Sequence, residues 1–235
     1  MSKTLETAVQ IAKHTGSLLL GYFRSANLRS SFKNDQSVVT NADYAADEYI
    51  QAALRHEFPN DLIMSEERKT RLTQKELRDH RSIWMVDPLD GTTNFSLGLH
   101  IWGVLLTQFV NGFPERAALH FPILQETYWA EKGKGAFMND EPIHVQPPRK
   151  DYPLPFFACC SRTFRMHDIK VPYKPRILGS AAYSMCCVAR GVAVLGFDAT
   201  PKIWDIAGAW LLVQEAGGVI ETIDSLDPFP LKDDD

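Results

Sequence analysis

Two carboxylates stand at the end of an apolar run near the middle of the chain, in the segment WMVDPLDGTTNF at positions 84–95. Asp87 ends the run, and Asp90 follows three residues later. Pro88 cannot extend a central strand because it has no N–H group for the ladder, and Gly91 lets the backbone turn into a helix start. Mg²⁺ is usually held by one or two carboxylates together with substrate phosphate, and backbone N–H groups at a helix start can face that phosphate. This segment is therefore a candidate site for metal-assisted phosphate chemistry.

The simpler interpretation is that Asp90-Gly91 is only a turn after a strand, because Asp and Gly are common turn residues. Two familiar acidic motifs do not match the spacing. An EF-hand loop needs carboxylates at alternate positions and a distant Glu, and the D-x-D motif of haloacid-dehalogenase phosphatases also needs a spacing of two. The choice between a turn and a metal site therefore depends on the rest of the chain.

Length and composition are those of an ordinary soluble globular protein. The chain has 235 residues, enough for one large domain or two small ones. Its hydrophobic fraction is 45%, and its formal net charge of −4 gives no indication of nucleic-acid binding. The apolar stretches at 101–106 and 192–197 are too short to span a bilayer, and no secretory signal is visible at the N-terminus. We expect neither nucleic-acid nor membrane partners.

The four cysteines form two adjacent pairs, Cys159-Cys160 and Cys186-Cys187. Neither pair has the C-x-x-C spacing, and no histidine pair lies at zinc-finger distance. This usage is typical of buried, reduced thiols, and disulfides are rare in the cytosol. The cysteines therefore favour a cytoplasmic protein.

Two amphipathic helices are predicted before the central segment. Apolar residues at helical spacing place the first over residues 3–23, and an exposed loop over 29–37 and a short strand at Val38-Val39 follow. Thr40 can cap the second helix, with Asp43 three residues later as in a capping box. The local pattern therefore gives Asp43 a structural interpretation, as part of a helix cap. The expected buried stripe of the second helix consists of Ala42, Ala46, Tyr49, Ala53 and Leu54.

A short strand is predicted at 62–64, and it ends in Ser65-Glu66-Glu67. Two adjacent glutamates usually belong to a solvated surface. These two stand at the C-terminal end of a strand, as Asp87 does, and open sheets carry their sites at such ends. The charged stretch 68–81 predicts a surface helix or loop.

The second half of the chain alternates predicted strands and helices. Strands are expected at 102–110, 117–121, 126–130, 156–160, 192–197 and 219–222, with a Gly-punctuated hairpin at 131–140. Helices are expected at 181–190, capped by Ser180, and at 204–216, where an almost wholly apolar body predicts a core helix ended by Gly217. The stretch 147–155 is rich in proline and charge. It is the candidate boundary between a metal- and phosphate-binding subdomain, 1–150, and a C-terminal subdomain, 151–235, within one compact domain.

Carboxylates thus occur at the edges of buried elements in four places: Glu66, Asp87, Asp90 and Asp205. Asp205 stands beside a core helix, so it either caps that helix or binds something. Buried carboxylates need a counter-charge, and no run of Lys or Arg accompanies these four. We therefore expect metal cations to supply the counter-charge for these four carboxylates.

At this point the chain resembles the inositol monophosphatase family. The resemblance is carried by VTNAD at 39–43, SEE at 65–67, WMVDPLDGTTNF at 84–95 and WDIAGAWLLVQEAGG at 204–218, in the family's order. It extends from the first helix to about Phe229. It implies an α/β (α+β) sandwich of αβαβα layers, usually a homodimer, and Mg²⁺-dependent, often lithium-sensitive hydrolysis of a small phosphate monoester.

The resemblance also implies the metal ligands. Glu66, Asp87 and the backbone carbonyl of Leu89 match ligands of the first metal, and Asp87, Asp90 and Asp205 match ligands of the second. Two or three Mg²⁺ ions are expected per site. Two metals about 3.5–4 Å apart clamp the attacking and leaving oxygens of an in-line displacement.

Further roles are implied in the same way. Glu66 and Thr92 match the pair that orients the attacking water, and Asp43 matches the group hydrogen-bonded to that Thr. The N–H groups of Gly91 and Thr92 match the phosphate cradle. Lys33 lies in the loop that matches the family's mobile lid. The positions that match the wall around the substrate's alcohol portion are Gly179, Ser180, Ala181 and Asp198.

The chain departs from the family pattern in a few places. Asp198 stands where inositol-selective members typically have Glu, which is one methylene longer. The segment 160–179 looks too short for the helix common there, and the family usually continues with a strand and a helix after Pro230. The expected activity is hydrolysis of myo-inositol monophosphate. Fructose 1,6-bisphosphate, histidinol phosphate and 3′-phosphoadenosine 5′-phosphate are alternative substrates, and a non-catalytic metal-binding scaffold is the alternative class.

Overall fold

The computed structural model describes residues 1–33, 35–68, 73, 80–148, 155–223 and 228–231. Its helices are α1 (Lys3–Tyr22), α2 (Asn41–Glu57), α3 (Thr92–Ser96), α4 (Thr163–Met166), α5 (Ala181–Ala189) and α6 (Ile203–Glu215). Its strands are β1 (Ser30–Phe32), β2 (Val38–Thr40), β3 (Leu62–Ser65), β4 (Ser82–Asp90), β5 (Gly103–Val110), β6 (Phe113–Phe121), β7 (Glu126–Glu131), β8 (Ala136–Met138), β9 (Glu141–Ile143), β10 (Phe156–Cys159), β11 (Lys174–Ile177) and β12 (Ala193–Phe197). Among these residues, no helix is long and apolar enough to cross a membrane.

The main sheet runs through the middle of the molecule in the order β3-β4-β5-β6-β7-β8-β9. β3 and β4 are parallel, and the other neighbours are antiparallel. Side chains alternate between the two faces of a strand, so both faces of β5 are buried. Val104 and Leu106 pack in one core with α1 and α2, whereas Leu105 packs in a second core with α5 and α6. The sheet is therefore covered by a helical layer on each side.

A second sheet completes the layers. It has the order β11-β10-β12 and is parallel throughout. Ala158 of β10 packs with α5 in the second core, so the next side chain along β10, Phe157, points to the opposite face. There the ring of Phe164 in α4 lies 6.2 Å from the ring of Phe157. The predicted αβαβα order is confirmed, and among the described residues the last layer is the four-residue helix α4.

Most of the predicted elements are confirmed within a residue or two of their expected ends. The first helix ends at Tyr22, and α2 begins with the predicted capping box of Thr40 and Asp43. Residues 131–140 contain the turn after β7, the strand β8 and the turn that leads into β9, so the predicted hairpin arm is confirmed. Most of 68–81, and residues 149–154 of the predicted boundary, lie outside the described residues. The division into two subdomains stays a prediction.

The expectation of a loop at 29–37 is wrong in part. Ser30–Phe32 pairs with Val38–Thr40 as an antiparallel hairpin. All three residues of β1 are exposed, and Phe32 keeps 73% of its surface accessible. Backbone pairing alone forms this strand, so its side chains leave no hydrophobic pattern for a sequence reading to detect.

The expected buried stripe of α2 is also wrong at one position, because Tyr49 is exposed. Polar residues occupy part of the buried side instead: Asp43, Asp47 and Gln51, at intervals of four, are all buried. A pattern search that seeks apolar residues misses such a stripe. The two residues nearest the site, Asp43 and Asp47, have partners that account for their burial, as described below.

The strand expected at 219–222 is wrong. These residues are not assigned to a strand, and Val219 leaves 83% of its surface exposed. Apolar character suggested a strand there, but no neighbouring strand pairs with the segment among the described residues.

The thiol prediction is confirmed in part: all four cysteines are free, but Cys160 is only half-buried.

Candidate active site

A bulge in β4 brings the two central carboxylates together. Asp87 lies opposite Leu105 of β5, whereas Asp90 lies opposite Gly103, so β4 contains one more residue than β5 across this interval. In a regular strand, residues three apart point to opposite faces. The extra residue allows both carboxylates to turn toward the same side. Gly91 then takes φ +79°, and a Cβ there would lie 2.9 Å from the carbonyl oxygen of Ile101, so the turn requires glycine.

Three carboxylates from separate elements converge beside this bulge. One oxygen from each of Glu66, Asp87 and Asp205 lies within 4.8 Å of the others. Glu66 follows β3, Asp87 ends the regular part of β4, and Asp205 lies in the first turn of α6. Asp205 Oδ2 also accepts a hydrogen bond from the backbone N of Lys202 at 2.9 Å, so it caps α6 as well. Such an all-oxygen donor set fits a hard cation such as Mg²⁺.

Asp90 lies next to this group and is held by α5. The Ser180 hydroxyl accepts a hydrogen bond from the backbone N of Tyr183 at 2.9 Å and donates its own proton to Asp90 Oδ2. Ser180 thus caps α5, as predicted, and ties that helix to the β4 bulge. The charge of Asp205 contributes to raising the pKa of Asp90.

Burial and the repulsion between neighbouring carboxylates dominate the electrostatics of these four residues. Burial, followed by the charges of neighbouring carboxylates, raises the pKa of Asp87 and of Asp90 well above their usual range. Burial likewise raises the pKa of Asp205 to about 7, and the charge of Glu66 adds to the effect. Carboxylates that repel one another in a buried site favour either protons or a metal ion.

A lysine supplies positive charge at the edge of the cluster. Lys33 Nζ lies 2.8 Å from Glu66 Oε1 and 2.7 Å from Glu67 Oε1. Burial alone would lower the pKa of Lys33, but the hydrogen bonds and charges of the two glutamates outweigh it and raise the pKa. The sequence argument that no cationic side chain accompanies the carboxylates is therefore wrong for Glu66. Lys33 precedes Glu66 by 33 positions, and only the β1–β2 hairpin brings it near.

Asp43 makes both of the contacts considered for it. Its Oδ2 accepts a hydrogen bond from the backbone N of Thr40 at 2.8 Å, which completes the capping box. Its Oδ1 lies 3.0 Å from the hydroxyl of Thr92, the first residue of α3. Burial raises the pKa of Asp43 to about 6, although these hydrogen bonds oppose the shift. Asp43 therefore connects α2 to the segment that follows the two central carboxylates.

The predicted substrate wall begins at Gly179, and the chain there contacts α3 through Asn94. Gly179 has φ +77°, and a Cβ there would meet the Asn94 side chain at 2.6 Å. Asn94 Nδ2 donates to the carbonyl oxygens of Ile101 and Leu178 at 2.7 and 2.8 Å, so it fastens α3 to the chain just before Gly179. Ala181 begins α5 directly after this contact. Sequence reasoning indicates only that Asn94 is typical of a turn or a helix start, because Leu178 lies too far along the chain for a local pattern to indicate it.

Asp198 lies near the acidic cluster, at the end of β12. Its charge helps to raise the pKa of Asp90 and the pKa of Asp205. It is half-buried, and its Oδ1 accepts a hydrogen bond from the backbone N of Thr200 at 3.1 Å. Asp198 therefore caps the turn at Thr200, and its role toward substrate stays a prediction.

The layered fold and the carboxylate cluster at the ends of β3 and β4 are those of an α/β phosphatase. The profile of the inositol monophosphatase family matches residues 1–234, and the chain belongs to this family. The chain is 33% identical over 231 residues to the Nus factor SuhB of Pasteurella multocida, covering 94% of this chain and 85% of the relative. It is 30% identical over 229 residues to a histidinol-phosphatase of Chlorobaculum parvum, covering 93% and 85%.

Solved structures agree with this assignment. The IMPase of Thermotoga maritima is 29% identical and superposes with a TM-score of 0.75, covering 92% of this chain and 84% of the other. The relatives carry different names, so the comparisons establish a phosphatase family and leave the ester that this chain hydrolyses to be argued from its site.

Proposed function

We propose that the protein is a Mg²⁺-dependent phosphomonoesterase that hydrolyses myo-inositol monophosphate to inositol and phosphate. The observation that carries the proposal is the convergence of Glu66, Asp87 and Asp205, whose carboxylate oxygens lie within 4.8 Å of one another. Membership of the inositol monophosphatase family supports both the metal dependence and the substrate class.

Glu66, Asp87, Asp90, Asp205 and the carbonyl oxygen of Leu89 are the proposed metal ligands. Bound Mg²⁺ would make hydroxide available near neutral pH and offset the charge on phosphate and on the leaving oxygen. No side-chain nucleophile is then required. The thiols of Cys186 and Cys187 do not offer one, since burial raises the pKa of Cys186 and the pKa of Cys187 above the usual value.

The remaining groups orient the reactants. Thr92 and Glu66 are proposed to hold the attacking water, with the Thr92 hydroxyl directed by Asp43 at 3.0 Å. The N–H groups of Gly91 and Thr92 are proposed to bind the phosphate oxygens. The alcohol portion would lie against Gly179, Ser180 and Ala181, with Asp198 accepting hydrogen bonds from its hydroxyl groups.

Histidinol phosphate is the second candidate substrate. The 30% identical relative named histidinol-phosphatase supports it, and a carboxylate at Asp198 can accept hydrogen bonds from an ammonium group as well as from hydroxyls. We also propose a homodimer, as the family resemblance implies. A cytoplasmic location agrees with four free thiols.

A phosphate-release screen tests the proposed function. The purified protein would be incubated with myo-inositol 1-phosphate, histidinol phosphate, fructose 1,6-bisphosphate and 3′-phosphoadenosine 5′-phosphate, each with Mg²⁺ and with EDTA. We expect the highest kcat/KM for inositol 1-phosphate, and only with Mg²⁺. Tight Mg²⁺ binding without release from any of the four esters would instead indicate a metal-binding scaffold.

A further inference from the structure

The turn that presents Glu66 to the acidic cluster is short and closed. The backbone N of Arg68 donates to the carbonyl oxygen of Ser65 at 3.1 Å, so Glu66 and Glu67 are the two central residues of a four-residue turn after β3. The backbone N of Glu66 also donates to the carbonyl oxygen of Val86 at 3.1 Å. The position of Glu66 therefore depends on where both ends of this turn are held.

One end of the turn is fixed to α2 by an ion pair. Arg68 Nε lies 2.6 Å from Asp47 Oδ2. Asp47 is 3% exposed, and its other oxygen, Oδ1, has no hydrogen-bond partner among the residues that the structure describes. The Arg68 side chain is 47% exposed, so it reaches from solvent into the interior to meet this carboxylate. Removing the arginine would leave a buried carboxylate without this counter-charge, so breaking the contact is costly.

The same helix also fixes the other group proposed to hold the attacking water. Asp43 and Asp47 are four residues apart in α2 and lie on one face of it. Asp43 contacts the Thr92 hydroxyl, and Asp47 contacts the arginine that closes the Glu66 turn. The helix α2 therefore contacts both the Thr92 hydroxyl and the turn that carries Glu66.

Lys33 contacts the same turn from a different element. Its ammonium group contacts both Glu66 and Glu67 from the side of the β1–β2 hairpin. Without the Arg68 contact, the turn keeps its backbone hydrogen bond to Val86, but nothing from α2 then opposes the attraction of Lys33 for the side chains of Glu66 and Glu67. Arg68 and Lys33 therefore act on the turn from two different elements.

We propose that Asp47 and Arg68 form a positioning pair, which holds Glu66 in register with Thr92 and with the metal ligands Asp87 and Asp205. This inference rests on the proposed function. It predicts that breaking the ion pair weakens metal binding, although neither residue is itself a proposed ligand. Partners of metal ligands typically change metal affinity by about 10–100-fold when they are replaced.

Calorimetric titration of Mg²⁺ into the full chain, without substrate, tests the pair. We expect Arg68→Gln and Asp47→Asn each to raise the Mg²⁺ dissociation constant by about tenfold. We expect the loss in the double variant to be smaller than the sum of the two single losses, because the two residues share a contact. In phosphate-release assays, the Mg²⁺ concentration for half-maximal rate should rise by the same factor as the Mg²⁺ dissociation constant. The value of kcat at saturating Mg²⁺ should return to near the wild-type value.

A matched variant separates positioning from general stability. Glu131 is also 3% exposed, and its Oε1 is 3.1 Å from Arg116 Nε. Its other oxygen, Oε2, accepts a hydrogen bond from the backbone N of Ser2, near the start of the chain. Glu131→Gln should lower the melting temperature and leave the Mg²⁺ dissociation constant unchanged. Arg68 is partly exposed, so Arg68→Gln provides a folded variant even if Asp47→Asn does not fold.

The inference is overturned if Arg68→Gln binds Mg²⁺ as tightly as the wild type, or if Glu131→Gln weakens Mg²⁺ binding as much as Arg68→Gln does. Its failure is distinct from failure of the proposed function. A wild-type protein that binds Mg²⁺ but releases no phosphate would contradict the proposed function, while the calorimetric comparison would still test the pair.

Discussion

Thr92 Oγ1 lies 3.0 Å from Asp43 Oδ1, which places a hydroxyl of α3 beside a buried carboxylate of α2. The same hydroxyl is 2.9 Å from the carbonyl oxygen of Leu89. A hydroxyl has one proton to donate, so the two acceptors compete for it. If the Leu89 carbonyl binds metal, the proton goes to Asp43, and the lone pairs of Thr92 are then available to a water molecule.

Replacing this hydroxyl should reduce turnover without unfolding the protein. We expect Thr92→Val to lower kcat by about 100-fold, because a group that directs proton transfer typically contributes that much or more. Thr92→Ser keeps the hydroxyl and should retain most of the activity. Steady-state kinetics at saturating Mg²⁺ measure the effect, and equal losses in the two variants would contradict a role for the hydroxyl.

Metal removal should abolish the activity completely. Burial and neighbouring charges raise the pKa of Asp87, of Asp90 and of Asp205, and a bound cation would relieve the repulsion between them. EDTA should stop phosphate release, and added Mg²⁺ should restore it. Millimolar Li⁺ is expected to inhibit, as the family resemblance implies. Full activity in a sample shown by elemental analysis to be free of metal would exclude this mechanism.

Asp90→Asn should separate activity from stability. The change keeps the size of the side chain and its capacity to accept the Ser180 proton, and it removes one negative charge from the cluster. We expect kcat to fall by roughly 10²–10³-fold, as when one group that stabilises transition-state charge is lost. The metal-free melting temperature should stay the same or rise, because repulsion from Asp205 is relieved. A variant with normal kcat would make Asp90 only a turn residue.

The pH dependence of the metal-free protein has a definite sign. Burial raises the pKa of Asp205 and the pKa of Glu67 to about 7, so between pH 6.5 and 8 the folded chain binds protons that the unfolded chain does not. Stability must therefore fall as the pH rises through this window.

His120 acts in the opposite sense only at lower pH. Burial lowers the pKa of His120 to about 4, so its contribution to stability is lost as the pH falls below about 6.5. Melting curves in EDTA between pH 6.5 and 8 should show a falling melting temperature, and Asp205→Asn should flatten the trend. With Mg²⁺ the trend should weaken or reverse, because metal binding favours ionised ligands. A melting temperature that rises with pH in EDTA would contradict the raised pKa values.

Substrate choice should respond to the length of the side chain at position 198. Asp198 is half-buried near Asp90 and Asp205, and a longer Glu would extend further toward a substrate hydroxyl. We expect Asp198→Glu to increase the preference for inositol 1-phosphate over fructose 1,6-bisphosphate. Asp198→Ala should lower kcat/KM for inositol 1-phosphate by about tenfold, as expected for one lost hydrogen bond. An unchanged ratio of kcat/KM in all three proteins would show that Asp198 only caps the turn at Thr200.

Local rules were sufficient for much of the fold. Helical spacing predicted α1, and side-chain caps predicted where α2 and α5 begin, because each depends on residues a few positions apart. The layered order came from the family resemblance, since periodicity does not specify which elements pack together. The proposed ligands were also predicted from the family resemblance, because they lie in segments as far apart in the chain as Glu66 and Asp205.

The contacts that sequence reasoning missed join residues far apart in the chain. Lys33 reaches Glu66 through a hairpin whose side chains are exposed, and Arg68 pairs with a buried Asp47 that interrupts an apolar stripe. Asn94 binds the carbonyl oxygen of Leu178, 84 positions later. No local pattern encodes these partners, because each depends on how separate layers meet.

The bulge between Asp87 and Asp90 also has a consequence at the level of the gene. Point substitutions at positions 88 and 89 alter side chains but leave the number of residues between the carboxylates unchanged. A single-codon deletion there would restore regular pairing with β5 and shorten the path to Gly91 by about 3.3 Å. Thr92 would then be drawn away from Asp43 even though every carboxylate of the cluster was still encoded. Selection on this segment should therefore conserve its length more strictly than the identity of residue 89.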